Sequence, residues 1–333
     1  MDFLFSFIVP VYNRPNEIRE LLESLEKQTY AKPFEIVIIE DGSTISSEEE
    51  VARFSELPIT YYKKENSGPG DSRNYGMGKA KGNYFIVLDS DCILPPHYLE
   101  TAEKSLQTEY VDCYGGPDAA HASFSTVQKA INYAMTSFWT TGGIRGGKKS
   151  VNKFQPRSFN MGISKIAFEK TGGYGNIHPG EDPDLTIRIW DNGFATKLIP
   201  EAYVYHKRRI DWNKFYTQVH KFGMVRPILN KWHPETAKVT YWFPALFCFG
   251  FLGALVALLI GFPWFMYAYG VYFGGIFIDS LLKNKKLAIA LLSVVAVGIQ
   301  FVGYGYGFIK STLVLAASKR TAQELFPKLF FKA

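Results

Sequence analysis

The stretch Tyr84–Asp91, which reads YFIVLDSD, decides the fold class. Its first part, Tyr84–Leu88, is continuously apolar or aromatic and predicts a strand buried on both faces, as in parallel sheets. Two similar runs precede it, Phe5–Val11 and Glu35–Glu40. Between those two, apolar residues recur at i, i+3, i+4 and i+7 from Ile18, which predicts a helix. This alternation of strands and helices predicts a doubly wound α/β domain.

Polar groups follow each of these strands where it ends. They are Tyr12-Asn13-Arg14, Asp41 and Asp89-Ser90-Asp91. In doubly wound sheets, ligands bind at the carboxyl ends of the strands. The sequence therefore predicts a binding site at this edge of the sheet.

Asp89 and Asp91 are candidate metal ligands. We expect both carboxylates on the same side of an extended backbone, because side chains in that conformation repeat with period two. Two carboxylates, completed by phosphate oxygens and water, suit Mg²⁺ or Mn²⁺. Such an ion offsets the charge that develops on a leaving diphosphate. The alternative for an isolated D-x-D pattern is turn or capping chemistry.

Asp41 and the glycine-containing stretch Asn66–Asn74 are candidate nucleotide-sugar contacts. The Asp41 carboxylate can accept hydrogen bonds from a base or ribose, or form an Asx-turn. Gly68 permits close approach of backbone to a ligand. Arg73 is predicted to pair with phosphate, with a solvated arginine near a helix start as the alternative.

Glu181-Asp182 precedes a helical pattern and is the candidate for a general base. Adjacent residues on a helix point about 100° apart, so only one of the two can face the acceptor. The other then supports it or caps the helix, and capping alone is the alternative role.

Three further features carry weaker predictions. His206 could complete a metal shell, whereas the basic residues that follow it, Lys207-Arg208-Arg209, suit either a diphosphate or an anionic lipid surface. Asn160 is a candidate for hydrogen bonds to a donor or acceptor sugar. The glycine-rich basic stretch 142–149 is either a mobile lid or a solvated loop.

The composition changes near residue 239. No charged residue occurs from Val239 to Ile278, and as helix these residues would be roughly 60 Å long, against a hydrocarbon core of about 30 Å. We therefore expect spans at about 241–262 and 264–282, and a third apolar run at 287–309. Glycines at 303, 305 and 307 allow that third run to re-enter rather than cross.

These observations predict the domain organisation. A catalytic domain covers residues 1–230, a membrane domain 231–310 and an amphipathic tail 311–333. Basic residues before the first span and in the turn at 283–286 place both on the cytoplasmic side if the first two spans form a hairpin. A third full span would send the basic residues of the tail outside, against that rule.

The bulk properties exclude several classes of protein. The net charge of +6 is modest, and the basic residues border apolar segments, which disfavours nucleic-acid binding. The three cysteines show no paired spacing, so neither a disulfide framework nor a zinc site is predicted.

Taken together, the motifs resemble those of family 2 glycosyltransferases with a GT-A fold. The resemblance covers roughly residues 1–225 in the family's order and rests on Val9–Arg14, Ile39–Ser43, Asn66–Asn74, Asp89–Asp91, Asn160-Met161-Gly162 and Gly180–Leu185. It implies an inverting, metal-dependent transferase that uses a nucleotide-diphosphate sugar, with UDP as the expected nucleotide.

The resemblance also implies residue roles. Asp41 and Pro10–Arg14 bind nucleotide, Asp89, Ser90 and Asp91 bind nucleotide-sugar and metal, and Asp182 is the base. Asn160 and Met161 lie next to the sugars, and His206 binds metal or phosphate. Since Arg208–Trp212 does not match the Q-x-x-R-W segment of processive members, the resemblance favours addition of single sugars in cell-surface glycan synthesis.

The expected acceptor is a membrane-associated glycan or a lipid-linked molecule. The expected location is the inner (cytoplasmic) membrane, in contact with membrane lipid, with the catalytic domain facing the cytoplasm. A polyprenyl-phosphate glycosyl synthase remains an alternative. A transporter or channel subunit with a nucleotide-sugar-binding domain is the alternative of another class, but Asp279 is the only charge in the predicted spans.

Overall fold

The computed structural model describes residues 2–119, 124–141, 154–206 and 211–331. These residues form two compact units. The first contains the described residues of Met1–His121, Lys148–Lys207 and Phe330–Ala333, and the second those of Ala122–Gly147 and Arg208–Leu329.

The strands all belong to the first unit. They are β1 (Phe5–Val11), β2 (Phe34–Asp41), β3 (Ile59–Lys64), β4 (Tyr84–Leu88), β5 (Cys92–Ile93), β6 (Cys113–Gly115), β7 (Asp118–Ala119), β8 (Asn160–Ser164), β9 (Thr196–Leu198) and β10 (Val204–His206).

The helices are divided between the two units. They are α1 (Pro15–Glu26), α2 (Glu48–Val51), α3 (Pro69–Lys79), α4 (Tyr98–Thr108), α5 (Thr126–Thr136), α6 (Phe138–Thr141), α7 (Lys165–Thr171), α8 (Glu181–Asp191), α9 (Trp212–Trp232), α10 (Phe243–Leu259), α11 (Trp264–Asn284), α12 (Leu287–Ala317) and α13 (Ala322–Leu325).

A mixed seven-stranded sheet organises the first unit, in the order β3-β2-β1-β4-β8-β6-β9. The four strands β3, β2, β1 and β4 are parallel, whereas β8 runs antiparallel to both β4 and β6. A smaller sheet has the order β5-β10-β7. The predicted α/β fold class is therefore confirmed, with the strands β1 and β4 at the predicted residues.

Both faces of the large sheet are covered, which explains the continuous apolar runs. Alternate residues of β4 enter different cores: Tyr84 and Ile86 pack with α1 and α4, whereas Phe85 and Val87 pack with α3 and α8. The predicted apolar face of α1 is fully buried in the first of these cores.

The described part of the second unit is entirely helical. Three stretches in it are long and apolar enough to cross a membrane: Val239–Leu259, Trp264–Asn284 and Leu287–Ala317, with mean hydropathies of 2.2, 1.3 and 2.2. Within this unit, Ser280 of α11 and Ser293 of α12 form a buried hydrogen bond of 2.8 Å. A hydroxyl pair of this kind satisfies polar groups that lipid cannot.

The glycines of the third apolar run serve helix packing. The helix α12 is continuous through them and ends at Ala317. A Cβ atom at Gly303 would lie 2.6 Å from the side chain of Val219 in α9, and one at Gly307 would overlap the backbone of His220. Small residues at such positions let two helix backbones approach closely. The glycines thus mark a packing seam between α9 and α12, whereas in the sequence alone they are residues that allow the run to re-enter.

Candidate functional site

Three neighbouring parallel strands bring the predicted polar groups to one edge of the sheet. The strands β2, β1 and β4 are adjacent and end at Asp41, Val11 and Leu88. The polar residues that follow them therefore converge, as expected for a sheet of this topology.

Asp89 and Asp91 lie in a tight turn. The backbone N–H of Cys92 donates a hydrogen bond to the carbonyl of Asp89, at 3.2 Å. The prediction that an extended backbone aligns the two carboxylates is therefore wrong. Each carboxylate instead has its own arginine: Asp91 pairs with Arg14, and Asp89 pairs with Arg73 at 2.8 Å.

Arg73 is buried, with 3% of its surface exposed, which excludes the alternative of a solvated arginine, and its contact with phosphate stays a prediction. Its guanidinium bridges two carboxylates, Asp89 at 2.8 Å and Glu181 at 3.3 Å. The ring of Tyr174 lies 5.3 Å below it. Arg73 therefore joins the turn after β4 to the start of α8.

Glu181 is the buried and fully engaged member of the acidic pair at the start of α8. His178 Nδ1 lies 2.9 Å from Oε1 of Glu181, the same oxygen that Arg73 contacts. Burial raises the pKa of Glu181, but His178 and Arg73 outweigh that effect and lower it overall. Glu181 is therefore held as a carboxylate with a structural set of partners.

Asp182 differs from its neighbour. Its Oδ1 atom is buried and has no hydrogen-bond partner among the described residues. Burial and the adjacent charge of Glu181 raise the pKa of Asp182, whereas Arg73, Arg157 and a hydrogen bond from Ser158 oppose the rise. A carboxylate with an unused oxygen and a raised pKa has the properties of a general base.

Asp41 organises the loop that precedes α3. Its carboxylate accepts hydrogen bonds from the backbone N–H groups of Ser67 and Gly68, each at 3.0 Å, and pairs with Lys64 at 2.9 Å. Gly68 has φ = +93°, a conformation that favours glycine. Asp41 thereby fixes the loop at the N-terminus of α3.

The segment after β1 combines one exposed ring with anchoring residues. Tyr12 is 52% exposed, whereas Pro10 is half-buried in β1. The side chain of Asn13 accepts hydrogen bonds from the backbone N–H groups of Thr44 and Ile45, at 2.8 and 2.9 Å. Tyr12 is consequently the part of this segment that is most available to a ligand.

Asn160 and Met161 require a correction, because both are fully buried. Asn160 donates to the carbonyl of Ala202 at 2.8 Å and accepts from the hydroxyl of Tyr98 at 2.5 Å. The sulfur of Met161 lies 3.2 Å from the hydroxyl of Tyr174. Neither side chain offers a surface to a sugar.

Some predicted features lie outside the described residues. They are the loop 142–149 and the basic residues 207–209. The backbone of His206 pairs with Cys92 in the small sheet, but its side chain is outside the described set.

The donor atoms at this edge fit a hard divalent ion. Asp89 and Asp91 offer carboxylate oxygens, which Mg²⁺ and Mn²⁺ prefer. In the structure, Arg73 and Arg14 compensate the negative charges of Asp89 and Asp91. The Asp89 side chain is 32% exposed, whereas Ser90 and Asp91 are buried. Asp89 is therefore the carboxylate that an ion from solvent can reach more easily.

Sequence reasoning missed His178, Tyr174 and Phe331. His178 stands three residues before Glu181, a spacing that hinted at contact. Phe331 is separated from Gly68 by most of the chain, and no local pattern connects them.

Comparisons with known proteins concern the family and the fold of the chain. Residues 6–170 match the family described as Glycosyl transferase family 2. This range includes the turn after β4 and Arg73 but ends before Glu181 and Asp182, so the family match does not test the prediction that Asp182 is the base.

A curated relative is the glycosyltransferase GlyA of Streptococcus pneumoniae, which is 42% identical over 108 residues. The match covers 32% of this chain and 15% of GlyA, so the chain spans only a small part of that protein.

Two solved structures share the fold. The mannosyltransferase PcManGT from Pyrobaculum calidifontis, in complex with GDP-Man and Mn²⁺, gives a TM-score of 0.59 at 17% identity and covers 94% of this chain and 88% of its own. S. aureus TarS in complex with UDP-GlcNAc gives 0.50 at 18% identity and covers 92% and 91%. At these identities the likeness concerns the fold.

Proposed function

Since the chain belongs to glycosyl transferase family 2 through residues 6–170, we propose that it transfers a single sugar from a nucleotide-diphosphate sugar to a membrane-associated acceptor. The observation that carries this proposal is a contrast between two adjacent acids. Oδ1 of Asp182 has no hydrogen-bond partner among the described residues, whereas Glu181 contacts Arg73 and His178. PcManGT and TarS were solved with nucleotide sugars, which supports a donor of that class.

The reaction is a single displacement. Asp182 takes the proton of the acceptor hydroxyl, whose oxygen forms a bond to the anomeric carbon while the bond to the diphosphate breaks. Attack from the face opposite the leaving group inverts the anomeric configuration. Glu181 keeps its charge through Arg73 and His178, and that charge helps to raise the pKa of Asp182.

The donor side is formed by the turn after β4 and the loop before α3. Asp41 holds the Ser67–Gly68 backbone in place for the nucleotide. Tyr12, which directly follows β1, presents an exposed ring to the nucleotide. Asp89 and Asp91 would hold Mg²⁺ or Mn²⁺, whose charge offsets that of the departing diphosphate. UDP is the nucleotide we propose to test first.

The three apolar stretches suit an acceptor held at a membrane. Two of them have 21 residues, about the length that spans the hydrocarbon core, and the third, with 31 residues, is longer than the core is thick. We propose that the acceptor is a lipid-linked or surface glycan at the inner membrane, with the catalytic unit on the cytoplasmic side.

A ligand screen tests this function. The full chain in detergent is heated with UDP- and GDP-sugars, with and without Mn²⁺, and specific donors are expected to raise the unfolding midpoint in a concentration-dependent way. Radiolabelled sugar from the stabilising donor is then expected to enter a membrane extract. If no nucleotide diphosphate stabilises the protein and no label is transferred, the proposed function is wrong.

A polyprenyl-phosphate acceptor would need no strong base. Transfer that survives the double substitution of Glu181 and Asp182 by amides would favour that acceptor over a hydroxyl.

A further inference from the structure

The residues Phe330 and Phe331 pack against the catalytic unit. The backbone N–H of Phe331 donates a hydrogen bond to the carbonyl of Asn176, at 3.0 Å. Phe330 forms an antiparallel bridge with Ile177. Two residues near the far end of the sequence therefore pair with the loop that leads into Glu181.

The ring of Phe331 lies against Gly68. A Cβ atom at Gly68 would overlap this ring, so the ring occupies the space that any other residue would fill with its side chain. The ring also lies 5.8 Å from that of His178, between centroids, at an angle of 50°. One aromatic side chain thus contacts both the loop before α3 and the loop before α8.

Each contacted loop supports one part of the candidate site. Gly68 donates its N–H to Asp41 at 3.0 Å and begins the helix that carries Arg73. His178 Nδ1 lies 2.9 Å from Glu181. Arg73 and Glu181 contact each other at 3.3 Å, so the residues supported by the two loops are joined directly.

We propose that Phe331 is a positioning residue for transfer, which holds the loops at Gly68 and His178 in place so that Glu181 stays fixed and the adjacent Asp182 faces the acceptor hydroxyl. This inference rests on the proposed function. Small displacements of reacting groups are costly, since a shift of about 1 Å can lower a rate by about 100-fold. The segment that supplies Phe331 follows the three apolar stretches directly, so the site depends on chain beyond them.

The test compares Phe331→Ala with Phe331→Tyr, which keeps the ring. Because Phe331 is only half-buried, its truncation leaves the fold intact. We expect Phe331→Ala to lower kcat about tenfold with a smaller change in donor KM, and Phe331→Tyr to stay within about twofold of wild type. Phe138→Ala, at a ring that is 73% exposed, is the matched control and keeps wild-type kcat.

Hydrogen–deuterium exchange provides a readout that needs no turnover. Loss of the ring is expected to raise exchange at residues 66–68 and 176–178, and the Tyr variant is expected to restore protection. A kcat for Phe331→Ala equal to or above that of wild type overturns the inference, and an increase would identify the ring as an obstruction.

The two proposals fail in different ways. Wild-type protein that transfers no sugar defeats the proposed function and, with it, the catalytic part of this inference. An active wild type whose Phe331→Ala variant shows unchanged exchange and unchanged kcat defeats this inference alone.

Discussion

The candidate site contains two pairs of carboxylates, and they differ in how their charges are compensated. In the turn after β4, Asp91 pairs with Arg14 and Asp89 pairs with Arg73. At the start of α8, Glu181 has both Arg73 and His178, whereas Oδ1 of Asp182 has no partner among the described residues. Close partners lower the pKa of Glu181, whereas burial and the charge of Glu181 raise the pKa of Asp182, which also has an oxygen left to accept a proton. From this difference we propose charge compensation for the first pair and proton transfer for Asp182.

Arg73 connects the two pairs, so among the partnered residues we expect the largest effect there. In Arg73→Met, Asp89 and Glu181 lose their shared cation. Leaving buried charge unpaired costs about 3 kcal/mol of unfolding free energy, and misplacement of α8 is expected to lower kcat about 100-fold. Denaturant unfolding and steady-state kinetics measure both quantities.

Arg53→Met is the matched control, because the Arg53 side chain is 60% exposed and its pair with Glu50 is worth little. A buried Arg73→Met variant as active as this control would show that the two acidic pairs are independent.

Asp91→Asn sharpens the role of the turn after β4. Loss of one carboxylate is expected to raise the Mn²⁺ concentration for half-maximal activity about tenfold, since a hard ion favours charged oxygen ligands. A titration of activity with Mn²⁺ measures the shift. Glu109→Gln, at a side chain that is 69% exposed, should leave the titration curve in place. An Asp91→Asn curve that overlays the wild-type curve would remove Asp91 from the metal site.

Glu181→Gln tests whether the charge of Glu181 raises the pKa of Asp182. After burial, the charge of Glu181 is the main cause that raises the pKa of Asp182. Removal of that charge lowers the pKa of Asp182, so the base stays deprotonated to lower pH. The acid limb of the plot of kcat against pH should therefore move to lower pH. Rate measurements across pH 4–8 at saturating donor check the direction. A limb that moves upward, or stays fixed, contradicts the assignment.

Asp41→Asn should have the smallest effect. The Ser67 and Gly68 N–H groups contact different oxygens of Asp41, so Asn can accept from only one of them, and it loses the ion pair with Lys64. We expect donor KM to rise about threefold while kcat stays close to wild type, as for a group that acts on binding alone. A fall in kcat without any change in KM would place Asp41 in the chemical step.

The sequence predicted the parts of the fold that depend on local pattern. Phe5–Val11 and Tyr84–Leu88 are strands at the predicted residues because continuous apolar runs suit a sheet that is covered on both sides. The convergence of Asp41 and Asp89 followed from the topology of parallel strands.

The remaining features depend on which distant residue lies opposite. Arg73 faces inward because Glu181 and Asp89 meet it there, and these partners are far from it in sequence. The side chain of Asn160 hydrogen-bonds to Tyr98 and Ala202, and no sequence motif predicts either partner. Gly303 in α12 serves close packing, although glycine weakens a helix when read locally. Tertiary partners, and not local propensity, decided each of these cases.

The most direct test of the central claim is the Asp182→Asn variant, assayed for donor binding and for transfer in parallel. Calorimetry with the stabilising nucleotide sugar should give a Kd within about twofold of wild type, because Asp182 does not belong to the donor side. Single-turnover transfer should fall at least about 100-fold, the contribution expected of a general base. Transfer at the wild-type rate would contradict the claim that Asp182 is the base, and weakened donor binding with normal transfer would place Asp182 on the donor side instead.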